Sequence, residues 1–144
     1  MPEEVELQHP DLVRLHHLWL QKSPHGQLPS RGMFDTAELH FMLGYIMLLD
    51  LVGKRRFRVR LHGSRLVDEM RYDHSGGFID EWPYQPTQDL LLQQCRAAVE
   101  ARRPLAVVAG ELFRHKMTRC GALWLPLAAD GWDVDMLMVG IRWS

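Results

Sequence analysis

The sequence predicts an α+β fold built on one five-stranded antiparallel sheet of order 2-1-5-4-3, and three observations carry that expectation. Tyr45–Leu49 and Val134–Trp143 are apolar on both strand faces, which suits strands with neighbours on each side and layers above and below. Between them, Arg56–Leu61 alternates strictly, with Phe57, Val59 and Leu61 on one side and Arg56, Arg58 and Arg60 on the other; such a strand keeps one polar face. The remaining strand candidates, Leu105–Phe113 and Met117–Leu127, follow a long amphipathic stretch and flank a bend at His115-Lys116. A first and a last strand that are both central require the order given above.

The elements follow in order. His9-Pro10-Asp11 opens a helix, because proline suits the first turn and a carboxylate complements the positive end of the helix dipole. Leu12, Leu15 and Trp19 form its apolar stripe, with Leu18 beside it. Ser23-Pro24-His25-Gly26 ends this helix, and Leu28–Arg31 leads into a second one over about Asp35–Leu43, capped by Asp35 or Thr36. After the second strand, His62-Gly63-Ser64 breaks the chain and Arg65–Met70 reads as one or two helical turns. Asp73–Asp80, with Gly76-Gly77 inside it, reads as a flexible turn region. Thr87 is expected to cap the longest helix, which runs through Leu90, Leu91, Cys95, Ala98 and Val99 to Arg102 before Pro104 stops it. Ala129-Asp130-Gly131 is a turn of the Asp-Gly type between the last two strands.

A chain of 144 residues, 47% of them hydrophobic, buries one proper core and is too short for two ordinary domains. Residues 1–27 are assigned to an N-terminal helix and linker and residues 28–144 to the sheet domain. Lys plus Arg number 17 and Asp plus Glu 18, so no overall field recommends nucleic acid or an anionic membrane as partner. The acidic start lacks the order of a secretory signal, and no apolar run approaches membrane-spanning length; a cytoplasmic location is expected. Cys95 and Cys120 have no CxxC companion and are expected to remain thiols.

The residues also resemble a known family. Leu28-Pro29-Ser30-Arg31, Phe34-Asp35, Leu39, Leu43, Asp50 and the run from Phe57 to Ser64 resemble the opening half of a PAS-like family of short bacterial single-domain proteins. Asp73-His74-Ser75-Gly76 is similar to that family's Asp-x-Thr-Gly turn. Leu125-Pro126-Leu127 with Asp130-Gly131 and Val134 is similar to its closing hairpin. The resemblance covers about Trp19 to Trp143. Gly77 and His62 depart from it, standing where a polar and a small apolar residue are expected. What it implies is a PAS fold, with helices on one face of the sheet and an N-terminal amphipathic helix, and a sensory or regulatory role with no settled ligand.

Three sites follow as expectations. A ligand pocket between the inner sheet face and the helices would be lined by Leu66, Met70, Leu91, Cys95, Met136 and Met138, the methionines supplying plasticity; the plain alternative is that these residues are core. Arg56, Arg58 and Arg60 offer forked donors to an anionic ligand or an acidic partner patch, against the plain alternative of a solvated face paired with carboxylates. Leu12, Leu15 and Trp19 suit a homodimer interface or, equally, a seat on the chain's own sheet, and Trp132 and Trp143 are further candidate anchors. No cofactor is expected: the long helix has no histidine for haem, with Cys95 its only substitute, and Tyr72–Pro83 has no cysteine for flavin photochemistry. No metal site is expected either. Of the histidines, His16 and His17 point about 100° apart on a helix and His9 lies two turns from His16.

The leading functional expectation is a stand-alone cytoplasmic sensory module that answers a small molecule through a signalling partner. Two alternatives remain open: a small enzyme using the same cavity with Asp50, His62 or His115 as acid or base, and a purely structural dimer module whose core Met136, Met138 and Leu91 would fill.

Overall fold

A computed structural model describes residues 9–109 and 120–143. Helix α1 spans Pro10–Gln21, and α2 spans Thr36–Leu39, running into a 3₁₀ turn over His40–Tyr45. Strands β1 (Ile46–Val52) and β2 (Arg56–His62) form a hairpin. Helix α3 (Ser64–Met70), a 3₁₀ turn at Ile79–Glu81 and helix α4 (Gln85–Ala101) follow. The chain closes with β3 (Leu105–Ala109), β4 (Cys120–Leu127) and β5 (Met136–Trp143). The sheet order is β2-β1-β5-β4-β3, antiparallel throughout, as the apolar first and last strands require. The expected bend at His115-Lys116, and the parts of the two flanking strands from 110 to 119, lie outside the described residues.

The sheet divides two cores. On the inner face, Met47, Leu49, Phe57, Val59, Leu137, Val139, Ile141 and Trp124 meet Leu66, Ile79, Trp82, Leu91 and Cys95 from α3, the 3₁₀ turn and α4. On the outer face, Ile46, Leu48, Leu123, Leu125 and Met138 meet Leu12, Leu15 and Trp19 of α1 together with Phe34, Leu39 and Met42. Period-two alternation along each strand sends neighbouring side chains to opposite cores. Both faces therefore carry helices, α3 and α4 on one and α1 and α2 on the other.

Helix α1 comes close because two glycines floor its seat. A Cβ on Gly140 would lie 2.7 Å from Leu15 Cδ2, and one on Gly121 would lie 3.1 Å from Leu12 Cδ1. Trp19 completes the seat by donating its indole N–H to the Pro126 carbonyl at 2.9 Å. Pro126 is tolerated in β4 because β3 pairs only as far as Trp124, so the missing N–H costs no ladder bond there. At the other end His9 caps the helix, its Nδ1 accepting the Asp11 N–H at 3.1 Å.

Two helix starts show local chemistry at work. Asp35 and Glu38 form a reciprocal capping box on α2, whose short length then relaxes into 3₁₀ geometry. Helix α4 begins at Gln85, two residues before the expected Thr87, because Pro86 occupies the first turn, where its missing N–H is harmless. Thr87 is buried inside that turn and is not the cap. At the far end Arg102 adopts a left-handed conformation and returns its N–H to the Ala98 carbonyl.

Candidate functional site

The site begins with a defect in β2. Pairing with β1 runs Asp50 to Arg58 and Leu49 to Val59, then shifts so that Leu48 meets Leu61 and Met47 meets His62. One extra residue, Arg60, is accommodated by the bulge, and the alternation inverts beyond it. Leu61, expected on the buried side with Phe57 and Val59, is exposed instead, and His62 takes the inward position. Directly after it, Gly63 presses against the Gly44 backbone and donates its N–H to the Ile46 carbonyl at 2.9 Å. That approach turns the chain into α3 immediately behind the histidine.

From Arg71, which ends α3 in a left-handed conformation, the chain folds back along β2. Gly76 donates to the Val59 carbonyl at 2.7 Å, and Val59 donates to the Gly77 carbonyl at 2.8 Å. Arg58 and Phe78 form a single antiparallel bridge. The segment expected as a flexible turn thus covers the sheet edge, satisfying donors that would otherwise be exposed. Between this segment, the end of α3, the 79–81 turn and the first turn of α4 lies a cleft of about 560 Å³. Its walls include Met70, Tyr72, His74, Phe78, Trp82, Pro83, Tyr84 and Thr87, and its charged lining residues are Asp73 and Glu81.

His74 and Trp82 of the cleft wall form a layered set with His62, which does not line the cleft. The His74 ring stacks on Trp82 with centroids 4.1 Å apart and planes inclined by 20°. His62 stacks on Trp82 at 6.3 Å, and Tyr72 leans on His74 at 4.8 Å. Both nitrogens of His62 are engaged: Nδ1 accepts the His74 backbone N–H at 3.1 Å, and Nε2 lies 2.9 Å from Met70 Sδ. With Nδ1 accepting, the ring proton of the neutral form sits on Nε2 and points at the sulfur. Burial first, then the neighbouring His74, pushes the His62 pKa down to about 4, against a smaller opposing pull from Asp73. Burial lowers His74 as well. Asp73 is held below the usual carboxylate range by hydrogen bonds from Ser75, whose backbone N–H it accepts at 2.9 Å. The layered set is therefore neutral at physiological pH, and the ionised groups of the cleft lining are carboxylates. Neither nitrogen of His62 is directed to the cleft as a base.

The arginine stripe is engaged within the chain. Arg56 makes a two-pronged contact to Asp80 at 2.7 and 2.8 Å while its guanidinium lies 3.7 Å from the centre of the Phe78 ring. Arg58 and Arg60 share Asp50, at 3.6 and 3.3 Å. Asp50, a candidate acid or base on sequence grounds, is thus the counter-ion of two arginines.

Several expected site residues lie elsewhere. Of the six proposed pocket residues, only Met70 lines the cleft. Leu66, Leu91 and Cys95 are fully buried in the inner core, in one cluster with Trp124 and Ile79. Met136 and Met138 belong to the outer core, beneath α1, because their strand positions alternate with Leu137 and Val139 on the inner side. Of the two seats open to the α1 stripe, Leu12, Leu15 and Trp19 take the chain's own sheet, at 1%, 0% and 5% exposure. Trp132 is exposed on the β4–β5 turn beside Arg102, whereas Trp143 is half-buried. Burial pushes both thiols up to about 12, leaving Cys95 and Cys120 as packing groups. Among the described residues no group of three His, Cys, Asp or Glu side chains is placed to hold a metal ion. No described helix is long and apolar enough to cross a membrane. His115 lies outside the described residues.

An antiparallel sheet of this order, with α3, the 79–81 turn and α4 folded over its inner face between the second and third strands, defines the PAS class of domain. The chain belongs to the PAS domain family, whose sequence profile, described as PAS domain, matches residues 7–140. PAS domains are generally sensory and signalling modules and generally not enzymes. Among solved structures the chain is similar to a sensory box sensor histidine kinase from Vibrio cholerae, with TM-score 0.53 and 14% identity over 75% of this chain and 87% of that one. It is also similar to a LOV protein from Rhodobacter sphaeroides, with TM-score 0.53 and 11% identity over 95% of this chain and 68% of that one. At these identities the likeness shows the fold alone. Among curated proteins no match is found.

Proposed function

We propose that this chain is a cytoplasmic sensory PAS module that takes a small ligand in the cleft between α3 and α4 and passes its occupancy to a signalling protein. One observation carries the reading: an aromatic-walled cleft of about 560 Å³ opens beside the inner core. Its volume falls in the range of small-molecule sites, which are apolar with a few oriented polar groups. Leu66, Leu91, Cys95 and Trp124 are all buried beneath the helices, which supports a ligand seated in the cleft over haem or flavin seated in the inner core. The walls also couple outward. Gly76, Gly77 and Phe78 are bonded to the edge strand, and Trp82 accepts at its carbonyl from the buried Gln88 side chain in α4. A ligand that favours one setting of these walls shifts the population of edge-strand and α4 surfaces offered to a partner.

The test is a thermal-shift and native mass spectrometry survey of the purified protein with compounds of several classes, repeated on Tyr72→Ala and Tyr84→Ala. A ligand present at about a hundred times its dissociation constant adds about 2.7 kcal/mol to stability, a readily visible rise in melting temperature. The expected result is at least one class that raises the melting temperature of the unaltered protein and loses that rise in the wall variants. A rise that survives both substitutions, or no retained or stabilising compound in any class, counts against the cleft as the sensing site.

A further inference from the structure

Resting on the reading of the cleft as a ligand site, we infer that its ligand is a small organic cation, of the quaternary or alkylated ammonium kind. The walls present Tyr72, Phe78, Trp82 and Tyr84, whose π faces attract positive charge. Among the described residues, the ionisable ones of the lining are Asp73, Glu81, His74 and the two tyrosines, with no lysine or arginine. Burial holds His74 in its neutral form, so the histidine does not compete as a cation. Asp73 is held ionised by its hydrogen bonds from Ser75. Arg56, whose guanidinium lies over the Phe78 ring, is already paired with Asp80 by a two-pronged contact, with Glu81 a further 4.0 Å contact at the edge of that pair. One wall of the cleft displays the same chemistry within the chain: Arg56 lies 3.7 Å from the centre of the Phe78 ring, a cation seated on an aromatic face.

The shape fits a cation better than the alternatives. An anion would meet two carboxylates with no cation among the described lining residues to receive it. A neutral apolar guest would gain from the rings but draw nothing from the negative charge of Asp73 and Glu81. An alkylated ammonium meets both kinds of group at once: its methyl groups lie against the rings, and its charge faces Asp73 and Glu81, without the strong hydration that holds a bare ammonium in water.

The experiment titrates the unaltered protein with choline, with choline's uncharged tert-butyl isostere and with benzoate, following the Tyr72, Trp82 and Tyr84 ring signals by NMR. Choline is expected to shift those signals with an affinity about tenfold or more above that of the isostere, the size of a desolvated cation–π contact of about 1.4 kcal/mol. The exposed substitutions Asp73→Asn and Glu81→Gln together are expected to reduce choline affinity about tenfold while leaving the isostere's unchanged, with circular dichroism as the control on folding. If the isostere or benzoate shifts the same rings as strongly as choline, the cation inference is overturned while the cleft stands as a ligand site. If no probe of any charge moves those rings, both the inference and the reading beneath it fall.

Discussion

His62 is the residue at which sequence, fold and site meet. In the unfolded chain it titrates near 6.5; in the folded protein its pKa is lowered to about 4. A group depressed in this way contributes its full stability above pH 6.5. That contribution is lost as pH falls from 6.5 toward 4, because the unfolded chain accepts a proton that the folded one refuses. At about 1.36 kcal/mol per unit, the loss is at most about 3 kcal/mol. Protonation also converts Nδ1 from acceptor to donor and strips the His74 N–H of its partner. His62→Leu is therefore expected to lower stability at neutral pH by about 1–3 kcal/mol, through the orphaned His74 N–H, and to flatten the dependence on pH. Urea denaturation of both proteins at about pH 7.5 and about pH 4.5 checks this. Equal acid-induced losses in the two proteins would refute a role for His62, since His74 and His9, also lowered, are present in both.

At the scale of elements, two tightly packed glycines contrast: Gly63 meets backbone, and Gly140 meets side chains. A Cβ on Gly63 would overlap the Gly44 carbonyl and lie 2.8 Å from the Ile46 oxygen, and neither group can move without breaking the β2–α3 junction. Gly63→Ala is expected to cost about 3 kcal/mol or more. Gly140→Ala, which meets the flexible ends of Leu15 and Met42, is expected to cost about 1–2 kcal/mol. Chemical denaturation that ranks them the other way would show that the α1 seat, not the junction, is the rigid part. The arginine stripe gives a smaller number. Asp50 pairs with two largely exposed arginines, so Asp50→Asn is expected to change stability by less than about 1 kcal/mol while making retention on a phosphate-bearing resin stronger and more salt-sensitive.

The same scale explains what the sequence could reveal. Strand order was legible because burial on both faces marks β1 and β5 as central. The α1 stripe was legible because its spacing is helical, although the pattern left open whether the chain's own sheet or a second copy covers it. Alternation separates a strand's residues into two sets without saying which helices cover which set, so it does not reveal that Met136 and Met138 face the outer core. The bulge at Arg60 is invisible to a period-two reading, which puts Leu61 inward with Phe57 and Val59 and gives no sign that His62 takes that position. The cleft did leave a signal, since Tyr72, Phe78, Trp82 and Tyr84 crowd a stretch that glycines and prolines mark as a turn. Loops rich in large aromatics are more often folded onto something than free.

For the whole molecule, the seat of α1 decides whether the outer core belongs to one chain or to an assembly. Leu12, Leu15 and Trp19 are buried against Leu123, Leu125 and Met138 of the same chain, and the Trp19–Pro126 hydrogen bond fixes the register of that contact. Burial within one chain contributes a stability that does not depend on how many copies are present, whereas burial between copies adds a term that grows with concentration. The melting temperature of the unaltered protein is therefore expected to stay constant over roughly a hundredfold range of protein concentration. Leu15→Ala should destabilise by about 2–5 kcal/mol at every concentration in that range, as removal of a fully buried leucine from a core does. A melting temperature that climbs with concentration in the unaltered protein, and a Leu15→Ala penalty that shrinks on dilution, would instead give this helix face to a second copy, and would leave the glycine floor at Gly121 and Gly140 as the docking surface for its partner.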